Sequence, residues 1–198
     1  MKKILTIGVT GGIGSGKSSA IAYFKQKGFP VFSCDKINAK LLEDENYIKI
    51  LKKHFPDCVI EGKVDKNILS KEIFSSEEKR NLLQSLAHPA ILERLFSLID
   101  GCEGLSFSEV PLLFESNLME KFDKILVIIR PKDDRISALQ QRDNTTKEKI
   151  LEKFASQFDY EKALNDGKFR DEKYFLIFNN GSISDLQKSL DEFLKTIL

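Results

Sequence analysis

The feature that most constrains how this 198-residue chain can fold is a glycine-rich stretch close to its start. Its residues, in order, are Gly11, Gly12, Ile13, Gly14, Ser15, Gly16, Lys17 and Ser18. The stretch matches the phosphate-binding pattern G-x-x-x-x-G-K-[ST] without a gap. Apolar, mostly β-branched residues before it predict a strand, and residues 18–27 after it predict a helix. A strand, a glycine loop and a helix in succession are the context in which this pattern binds phosphate.

Each residue type in this glycine loop has a physical role in holding a polyphosphate. Glycines carry no Cβ, so successive backbone N–H groups can turn inward around the phosphates. The helix that begins near Gly16 adds free N–H groups and a positive dipole end. Lys17 is predicted to reach the β- and γ-phosphates, and the Ser18 hydroxyl to be a Mg²⁺ ligand. The alternative, a glycine-rich turn without a ligand, is disfavoured by four glycines and a Lys-Ser pair at this spacing.

Composition limits the kinds of partner. The 31 basic and 30 acidic residues leave a net charge of +1, which gives no electrostatic case for a nucleic-acid or anionic-membrane partner. Cys34, Cys58 and Cys102 form no C-x-x-C pair, and with two histidines they offer few zinc ligands. Such scattered thiols indicate a cytoplasmic location. No apolar run approaches the ~20 residues of a membrane span, and no signal peptide is expected.

Five apolar segments alternate with helical ones, which predicts an α/β fold with a five-stranded parallel sheet and right-handed crossovers. The segments lie at 4–9, 30–33, 105–110, 124–129 and 174–178. The fourth, KILVII, is the strongest, because a continuous β-branched run is typical of a buried parallel strand.

Two acidic residues fall at the ends of predicted strands. Asp35 comes just after the second strand, where ligands collect in open parallel sheets, although it is equally well explained as a helix N-cap. Glu109 ends the third strand and is a candidate to hold a Mg²⁺-bound water. Its alternative is an edge-facing polar residue. Both pairs of interpretations stay open at this point.

Residues 43–102 have apolar residues at helical spacing and predict a mostly helical insertion, with a short strand at 59–60. Ser75 with Glu78 is predicted to form a capping box, and Pro89 is expected to kink or break the helix that follows. The apolar stripe is more typical of a lobe core than of a cofactor surface. His88 lies here, and a lone histidine is more often structural than catalytic.

Polar helices are predicted after the fourth strand. Thr145 with Glu148 is expected to cap a long helix that runs through Phe158, and this pair of charged helices is interpreted as a mobile cover. Arg142 is placed to reach the γ-phosphate from it, or is simply a solvated helix arginine. Ser184 with Gln187 is expected to cap the last helix.

Six motifs resemble those of the dephospho-CoA kinase family and occur in that family's order over nearly the whole chain. They are Thr10–Ser18 (TGGIGSGKS), Asp35, His88-Pro89, Pro111–Glu115 (PLLFE), Gln141-Arg142-Asp143 and Asn179-Asn180-Gly181. The first is specific by itself, and the order and spacing of all six are specific together. The resemblance implies Mg²⁺-dependent transfer of the ATP γ-phosphoryl group to the ribose 3′-hydroxyl of dephospho-CoA, the last step of coenzyme A synthesis.

The resemblance also implies a three-layer P-loop kinase fold made of three parts. They are a nucleotide-binding core (1–42, 103–135 and 170–198), a helical CoA-binding insertion (43–102) and a helical lid (136–169). The implied substrates are ATP and dephospho-CoA, and the expected state is a monomer or a weak homo-oligomer.

Site roles are implied by the same motifs. Asp35 would orient and deprotonate the 3′-hydroxyl, Lys17 would neutralise phosphate charge, and Arg142 would be the lid cation. The implied ATP-binding residues are the eight of the glycine loop with Ser19, Asn180 and Gly181. The implied acceptor-binding residues are Asp35, His88, Pro111 and Leu112.

The chain departs from the family at three places. Many relatives carry a second lid arginine four residues before the position of Arg142, where this chain has Ala138. Arg135, one turn earlier, is the candidate substitute. Ser19 replaces the usual threonine, and Lys173-Tyr174 stand where an acidic residue is common.

Two other functions compete with this interpretation. One is a P-loop kinase for another small acceptor, such as a nucleoside monophosphate or shikimate, which the helical insertion and the PLLFE run disfavour. The other is a nucleotide-dependent switch. A GTPase switch should carry N-K-x-D and D-x-x-G motifs, and the sequence has neither.

Overall fold

The computed structural model describes residues 4–198, which divide into two compact units. The first unit comprises the chain through Phe32 together with Cys102–Leu198, and the second comprises Ser33–Gly101. From residue 4 onward, no helix is both long enough and apolar enough to cross a bilayer. The functional assignments of 43–102 as a substrate-binding insertion and of 136–169 as a lid stay predictions.

The predicted five-stranded parallel sheet is confirmed. The strands in chain order are β1 (Leu5–Thr10), β2 (Val31–Ser33), β3 (Val59–Ile60), β4 (Lys63–Val64), β5 (Leu105–Glu109), β6 (Lys124–Ile129) and β7 (Tyr174–Phe178). Five of them form one sheet in the order β2-β5-β1-β6-β7. Strand β1 is central and pairs in parallel with β5 and β6, and β6 pairs in parallel with β7. The carboxyl end of β1, where the glycine loop begins, therefore lies between two neighbouring strands.

Nine helices within residues 4–198 connect or follow these strands. In chain order they are α1 (Lys17–Gln26), α2 (Cys34–Leu41), α3 (Glu45–His54), α4 (Lys66–Ser75), α5 (Glu77–Ile99), α6 (Lys132–Asp143), α7 (Lys147–Ala155), α8 (Tyr160–Asn165) and α9 (Ile183–Ile197). Short 3₁₀ turns occupy Pro56–Cys58 and Met119–Lys121.

The first unit has its main core between the sheet and helices α1 and α9. Ile7, Phe107 and Ile128 project from three neighbouring strands, and they pack in one cluster with Phe24 of α1 and Leu190 of α9. Each of these side chains is fully buried. Burial of a large apolar side chain stabilises a fold by roughly 1.5–3 kcal/mol. This core fixes the start of α1 against the carboxyl end of β1.

The second unit is mostly helical, as predicted. Tyr47, Leu51 and Phe55 of the α3 region pack with Leu69 of α4, and α5 lies along both α2 and α4. Strands β3 and β4 form a small antiparallel hairpin. Only β3 is predicted from the sequence. The turn uses Glu61-Gly62, both at positive φ, a turn geometry that suits a two-residue hairpin.

Three predicted helix caps are wrong by one or two positions. The observed capping residues are Ser76 in place of Ser75, Thr146 in place of Thr145, and Ser182 in place of Ser184. The cap is the residue with an extended backbone just before the first turn, and neighbouring hydroxyl residues look alike in a sequence. Among them only Ser182 forms a capping box, with Asp185.

Two helix lengths also differ from expectation. Pro89 lies inside α5 without ending it, and α5 is held by packing against α2 and α4. The helix predicted to run through Phe158 stops at Ala155. It stops because Asp159 caps a new helix, α8, and the Phe158 N–H donates to the Glu115 carboxylate at 2.8 Å.

Candidate functional site

The glycine loop joins β1 to α1 and adopts the backbone geometry that its glycines predict. Gly16 is the N-cap of α1 with φ of 107°, a left-handed conformation that side chains disfavour. A Cβ there would lie 2.5 Å from Nδ2 of Asn179. Position 16 therefore requires glycine for conformation and for space.

Successive carbonyl oxygens of the loop, from Gly11 to Ser15, all accept hydrogen bonds from side chains. The donors are Lys17 Nζ (2.8 Å to Gly11 and 3.1 Å to Gly12), Arg135 Nε (2.9 Å to Ile13), Arg130 Nη1 (3.4 Å to Gly14) and Asn179 Nδ2 (2.8 Å to Ser15). Three of these four donor side chains are cations. The carbonyl oxygens are thus engaged by side chains, most of them positively charged. Positive charge close to the loop favours an anionic ligand.

Ser18 and Glu109 meet beside the loop. The Ser18 hydroxyl donates to Oε1 of Glu109 at 2.8 Å. The two residues come together because β1 pairs with β5 so that Val9 lies opposite Glu109. A hydroxyl and a carboxylate are hard oxygen ligands of the kind Mg²⁺ takes together with substrate phosphates. The described residues contain no group of three or more His, Cys, Asp or Glu side chains that suits a metal held by protein alone.

Asp35 lies in the first turn of α2, two residues past the end of β2. The interpretation of Asp35 as the N-cap is wrong, because Ser33 is the cap and its hydroxyl oxygen accepts from the Lys36 N–H. The side chain of Asp35 is exposed. Its carboxylate is thus not committed to capping and is open to solvent, and its catalytic role stays a prediction.

Arg142 lies in the last turn of α6, and its side chain is 62% exposed. Its guanidinium forms a two-point pair with the adjacent Asp143, with Nε to Oδ1 at 2.6 Å and Nη2 to Oδ2 at 2.9 Å. This hydrogen bonding raises the pKa of Arg142 and lowers the pKa of Asp143. The role of Arg142 as lid cation stays a prediction.

A sequence model of the family described as "Dephospho-CoA kinase" matches residues 5–185. The chain belongs to the dephospho-CoA kinase family. Its relatives include the dephospho-CoA kinase of Thermus thermophilus, 30% identical over 98% of this chain and 92% of that one. The dephospho-CoA kinase of Fusobacterium nucleatum is also 30% identical, over 98% and 99% of the two chains.

Solved structures agree with this membership of the dephospho-CoA kinase family. A crystal structure of a Thermus thermophilus protein superposes with a TM-score of 0.84 at 29% identity and covers 100% of both chains. Dephospho-CoA kinase from Campylobacter jejuni gives a TM-score of 0.71 at 29% identity over 98% of both. A shikimate kinase from Acinetobacter baumannii gives 0.54 at 13% identity, which supports the kinase fold alone.

The Asn179-Asn180-Gly181 turn of this dephospho-CoA kinase family member follows β7. Asn180 and Gly181 are exposed and lead into the Ser182 cap, and their ATP-binding role stays a prediction. The residue that contacts the glycine loop is Asn179, which is buried and also donates its backbone N–H to the Ile129 carbonyl at 2.7 Å. Its position directly after β7, at the carboxyl edge of the sheet, is the sequence signal that points to it.

The acceptor-side residues are spread over both units. His88 is half-buried in α5, and burial lowers the pKa of its imidazole. Pro111 is half-buried, and Leu112 is exposed at 40%. Their substrate-binding roles stay predictions.

Two further side chains from the predicted lid, residues 136–169, contact the loop region and are missed by sequence reasoning. Gln157 Oε1 accepts from the Ile13 N–H at 2.9 Å. The Tyr160 hydroxyl lies 2.9 Å from the Thr10 hydroxyl, and burial raises the pKa of this tyrosine. Both contacts join residues more than a hundred positions apart, so no local pattern reveals them.

Proposed function

We propose that this chain transfers the γ-phosphoryl group of ATP to the ribose 3′-hydroxyl of dephospho-CoA, giving coenzyme A and ADP. The observation that carries the proposal is the 2.8 Å bond between Ser18 and Glu109 beside a glycine loop, in a chain matched to this family over residues 5–185. Phosphoryl transfer depends mainly on positioning and charge neutralisation. The loop and its cations supply both.

The glycine loop would hold the triphosphate tail. Backbone N–H groups of residues 11–18 and the amino end of α1 would bind phosphate oxygens. Lys17, whose Nζ now contacts the Gly11 and Gly12 carbonyls, would move its ammonium to the β- and γ-phosphates. The buried position of Lys17 strengthens this attraction, because charges interact more strongly away from bulk water.

The hydroxyl of Ser18 and the carboxylate of Glu109 would hold Mg²⁺, Glu109 through a bound water. Mg²⁺ bound there would neutralise charge on the β- and γ-phosphates. Ser18 would then exchange its hydrogen bond to Glu109 for coordination.

Asp35 would be the base in the transfer. Its carboxylate would accept the proton of the 3′-hydroxyl as a bond forms between that oxygen and the γ-phosphorus. The bond from the γ-phosphorus to the β,γ-bridging oxygen breaks, ADP leaves, and Asp35 passes the proton to solvent. The exposed carboxylate just past the end of β2 supports this role, because ligands of parallel sheets bind beyond the carboxyl ends of strands.

Residues 136–169 would close over the nucleotide, and Arg142 would turn from Asp143 toward the phosphates. Closure excludes water, which otherwise competes as acceptor. His88, Pro111 and Leu112 would contact the acceptor, and Asn180 with Gly181 the adenine of ATP. We place the reaction in the cytoplasm, because Cys34, Cys58 and Cys102 remain thiols, and the enzyme would be a monomer or a weak homo-oligomer.

The test is incubation with ATP, Mg²⁺ and dephospho-CoA, followed by mass analysis for one added phosphate on the acceptor. Nucleoside monophosphates and shikimate serve as competing acceptors, with ADP release measured for each. Asp35→Ala is expected to lower kcat by at least ~10²-fold. Glu45→Ala is the matched control, because Glu45 is an exposed carboxylate in the first turn of α3. Faster turnover with another acceptor, or normal turnover of Asp35→Ala, would reject the corresponding part of the proposal.

A further inference from the structure

The guanidinium of Arg135 lies directly on the glycine loop. Its Nε donates to the Ile13 carbonyl at 2.9 Å. Its Nη2 and Nη1 lie 2.7 Å and 2.9 Å from the point where a Cβ on Gly12 would stand. Arg135 therefore packs closely against the backbone of Gly12, and a side chain at position 12 would require the guanidinium to move.

The guanidinium of Arg135 also packs on an aromatic ring. The central carbon of the Arg135 guanidinium lies 4.0 Å from the centroid of the Phe154 ring, a cation–π contact. Burial lowers the pKa of Arg135, but a guanidinium stays charged at any physiological pH. Arg135 is thus a fixed positive charge held between α7 and the loop.

A cavity of about 420 Å³ opens against Arg135. Its wall includes Gln157 and Tyr160, which bond to Ile13 and Thr10, so the cavity lies beside the loop. Lys132 adds a second cation to the wall. Asp159 and Glu161 also line the cavity, so an anionic group is expected only at its Arg135 end.

Arg135 and Arg142 lie two turns apart on α6 but have different surroundings. Arg142 is exposed and paired with the carboxylate of Asp143. Arg135 is directed at the loop, between the backbone of Gly12 and the cavity. Arg135 therefore already contacts the loop, whereas the guanidinium of Arg142 is bonded to its neighbour Asp143.

We propose that Arg135 is a catalytic cation of the site, one that contacts the transferring phosphoryl group and neutralises its charge in the transition state. This inference rests on the proposed function. It gives the site a second cation besides Arg142, one that already contacts the glycine loop. Such a cation supplied from the same chain is worth about 10³-fold or more in kcat in other phosphoryl-transfer enzymes.

The test compares Arg135→Gln, Arg135→Lys and Arg135→Ala with Gln157→Ala. Arg135→Gln removes the charge at similar size, whereas Gln157→Ala removes the other side-chain bond to Ile13 and keeps the charge. Arg170→Gln controls for the loss of an exposed arginine. Steady-state kcat and KM for ATP, ATP affinity by calorimetry and thermal unfolding are measured for each variant.

Arg135→Gln is expected to lower kcat by at least ~10²-fold, with ATP affinity much less changed. Arg135→Lys should retain part of the activity. Added guanidinium ion should partly restore turnover of Arg135→Ala. Gln157→Ala is expected to raise KM for ATP rather than to lower kcat.

The proposal is overturned if Arg135→Gln keeps the kcat of Arg170→Gln. It is also overturned if Arg135→Gln raises only KM, as Gln157→Ala does, because Arg135 would then merely shape the loop. If Arg135→Ala and Arg135→Gln unfold, the judgement passes to Arg135→Lys. A higher KM for ATP with an unchanged kcat in that variant would reject the proposal, because the shorter side chain would then affect only the shape of the loop.

Wild-type transfer to dephospho-CoA is measured first, which separates failure of the proposed function from failure of this inference. If the wild type transfers nothing to dephospho-CoA, the role of Arg135 is tested by comparing the kcat of ATP hydrolysis between Arg135→Gln and Arg170→Gln. Water then replaces the acceptor, but the charge on the transferring group is the same.

Discussion

The glycine loop and the helices of residues 136–169 are stabilised by different sets of contacts. The loop is held by side-chain hydrogen bonds to its backbone and by the main core under β1 and α1. Helices α6 and α7 have a small core of their own, Ile136, Leu139 and Ile150, against which Ile13 and Phe154 pack. Regions with few buried contacts open at lower free energy than the main core. Helices α6 and α7 are therefore expected to open more easily than the glycine loop.

Ile13 is where the two regions meet. Its side chain packs against the small core, its N–H is bonded to Gln157, and its carbonyl is bonded to Arg135. A displacement of Ile13 would therefore disturb its contacts with α6, with α7 and with Gln157.

The largest effect is expected in the loop. Lys17→Ala should lower kcat by at least ~10²-fold, because a charge aimed at the phosphates is lost. Turnover is followed by coupled ADP detection. Lys27→Ala is the matched control, because Lys27 lies just past the other end of α1 and pairs with Asp191 at 3.0 Å. Equal turnover of the two variants would contradict the role of Lys17.

Gly16→Ala tests whether the loop is as rigid as its contacts indicate. A methyl group at position 16 would strain a backbone at φ of 107° and collide with Asn179. Affinity for ATP, measured by calorimetry, should fall about tenfold or more, equivalent to about 1.4 kcal/mol.

Gly28→Ala is the control for Gly16→Ala. Gly28 also has positive φ, at 88°, but a Cβ there meets nothing within 4 Å. It should cost about 1–2 kcal/mol of folding stability and leave ATP affinity intact. Equal ATP affinities for the two alanine variants would show that the space at Gly16 is unimportant.

Ile150→Ala tests the small core between α6 and α7. Ile150 is 1% exposed, and its truncation should cost about 2–5 kcal/mol locally. Hydrogen exchange should accelerate in α6 and α7 and stay unchanged in β1 and β6. Leu190→Ala, in the main core, is expected to lower the global unfolding temperature instead. If Ile150→Ala accelerates exchange throughout the sheet, the two regions are not independently stable.

Two helix caps give the smallest effects. Thr146→Ala should increase the hydrogen exchange of backbone amides only in α7. Ser182→Ala removes the capping box of α9 and should lower the free energy of global unfolding by about 1 kcal/mol. Thermal unfolding and hydrogen exchange distinguish the two.

The cap of α9 also has a pH dependence. Hydrogen bonds from Ser182 lower the pKa of Asp185 below its usual value of 3.8. Its stabilising contribution is therefore present above that value and is lost as pH falls through the lower folded-state pKa. Ser182→Ala should flatten this acid dependence, and an unchanged profile would rule the contribution out.

Long, strongly patterned segments are predicted well from this sequence, and short signals are not. The KILVII run is typical of a buried parallel strand, and it forms β6. By contrast, Ser75 and Ser76 are indistinguishable as caps until the turn before α5 is known. Strand β4 of the hairpin has only two residues, which is too short to show the alternation of apolar and polar residues that identifies a strand.

The sequence by itself determines the strand, glycine loop and helix of the predicted phosphate site, because adjacent residues and a fixed spacing carry that pattern. It also determines family membership, through motifs that keep their order. The tertiary structure alone decides that Ser18 meets Glu109, and that Arg135 and Gln157 both bond to Ile13. These pairs are 91 to 144 residues apart in the chain. They form because strand pairing and the packing of α6 and α7 bring distant segments together, which no local periodicity encodes.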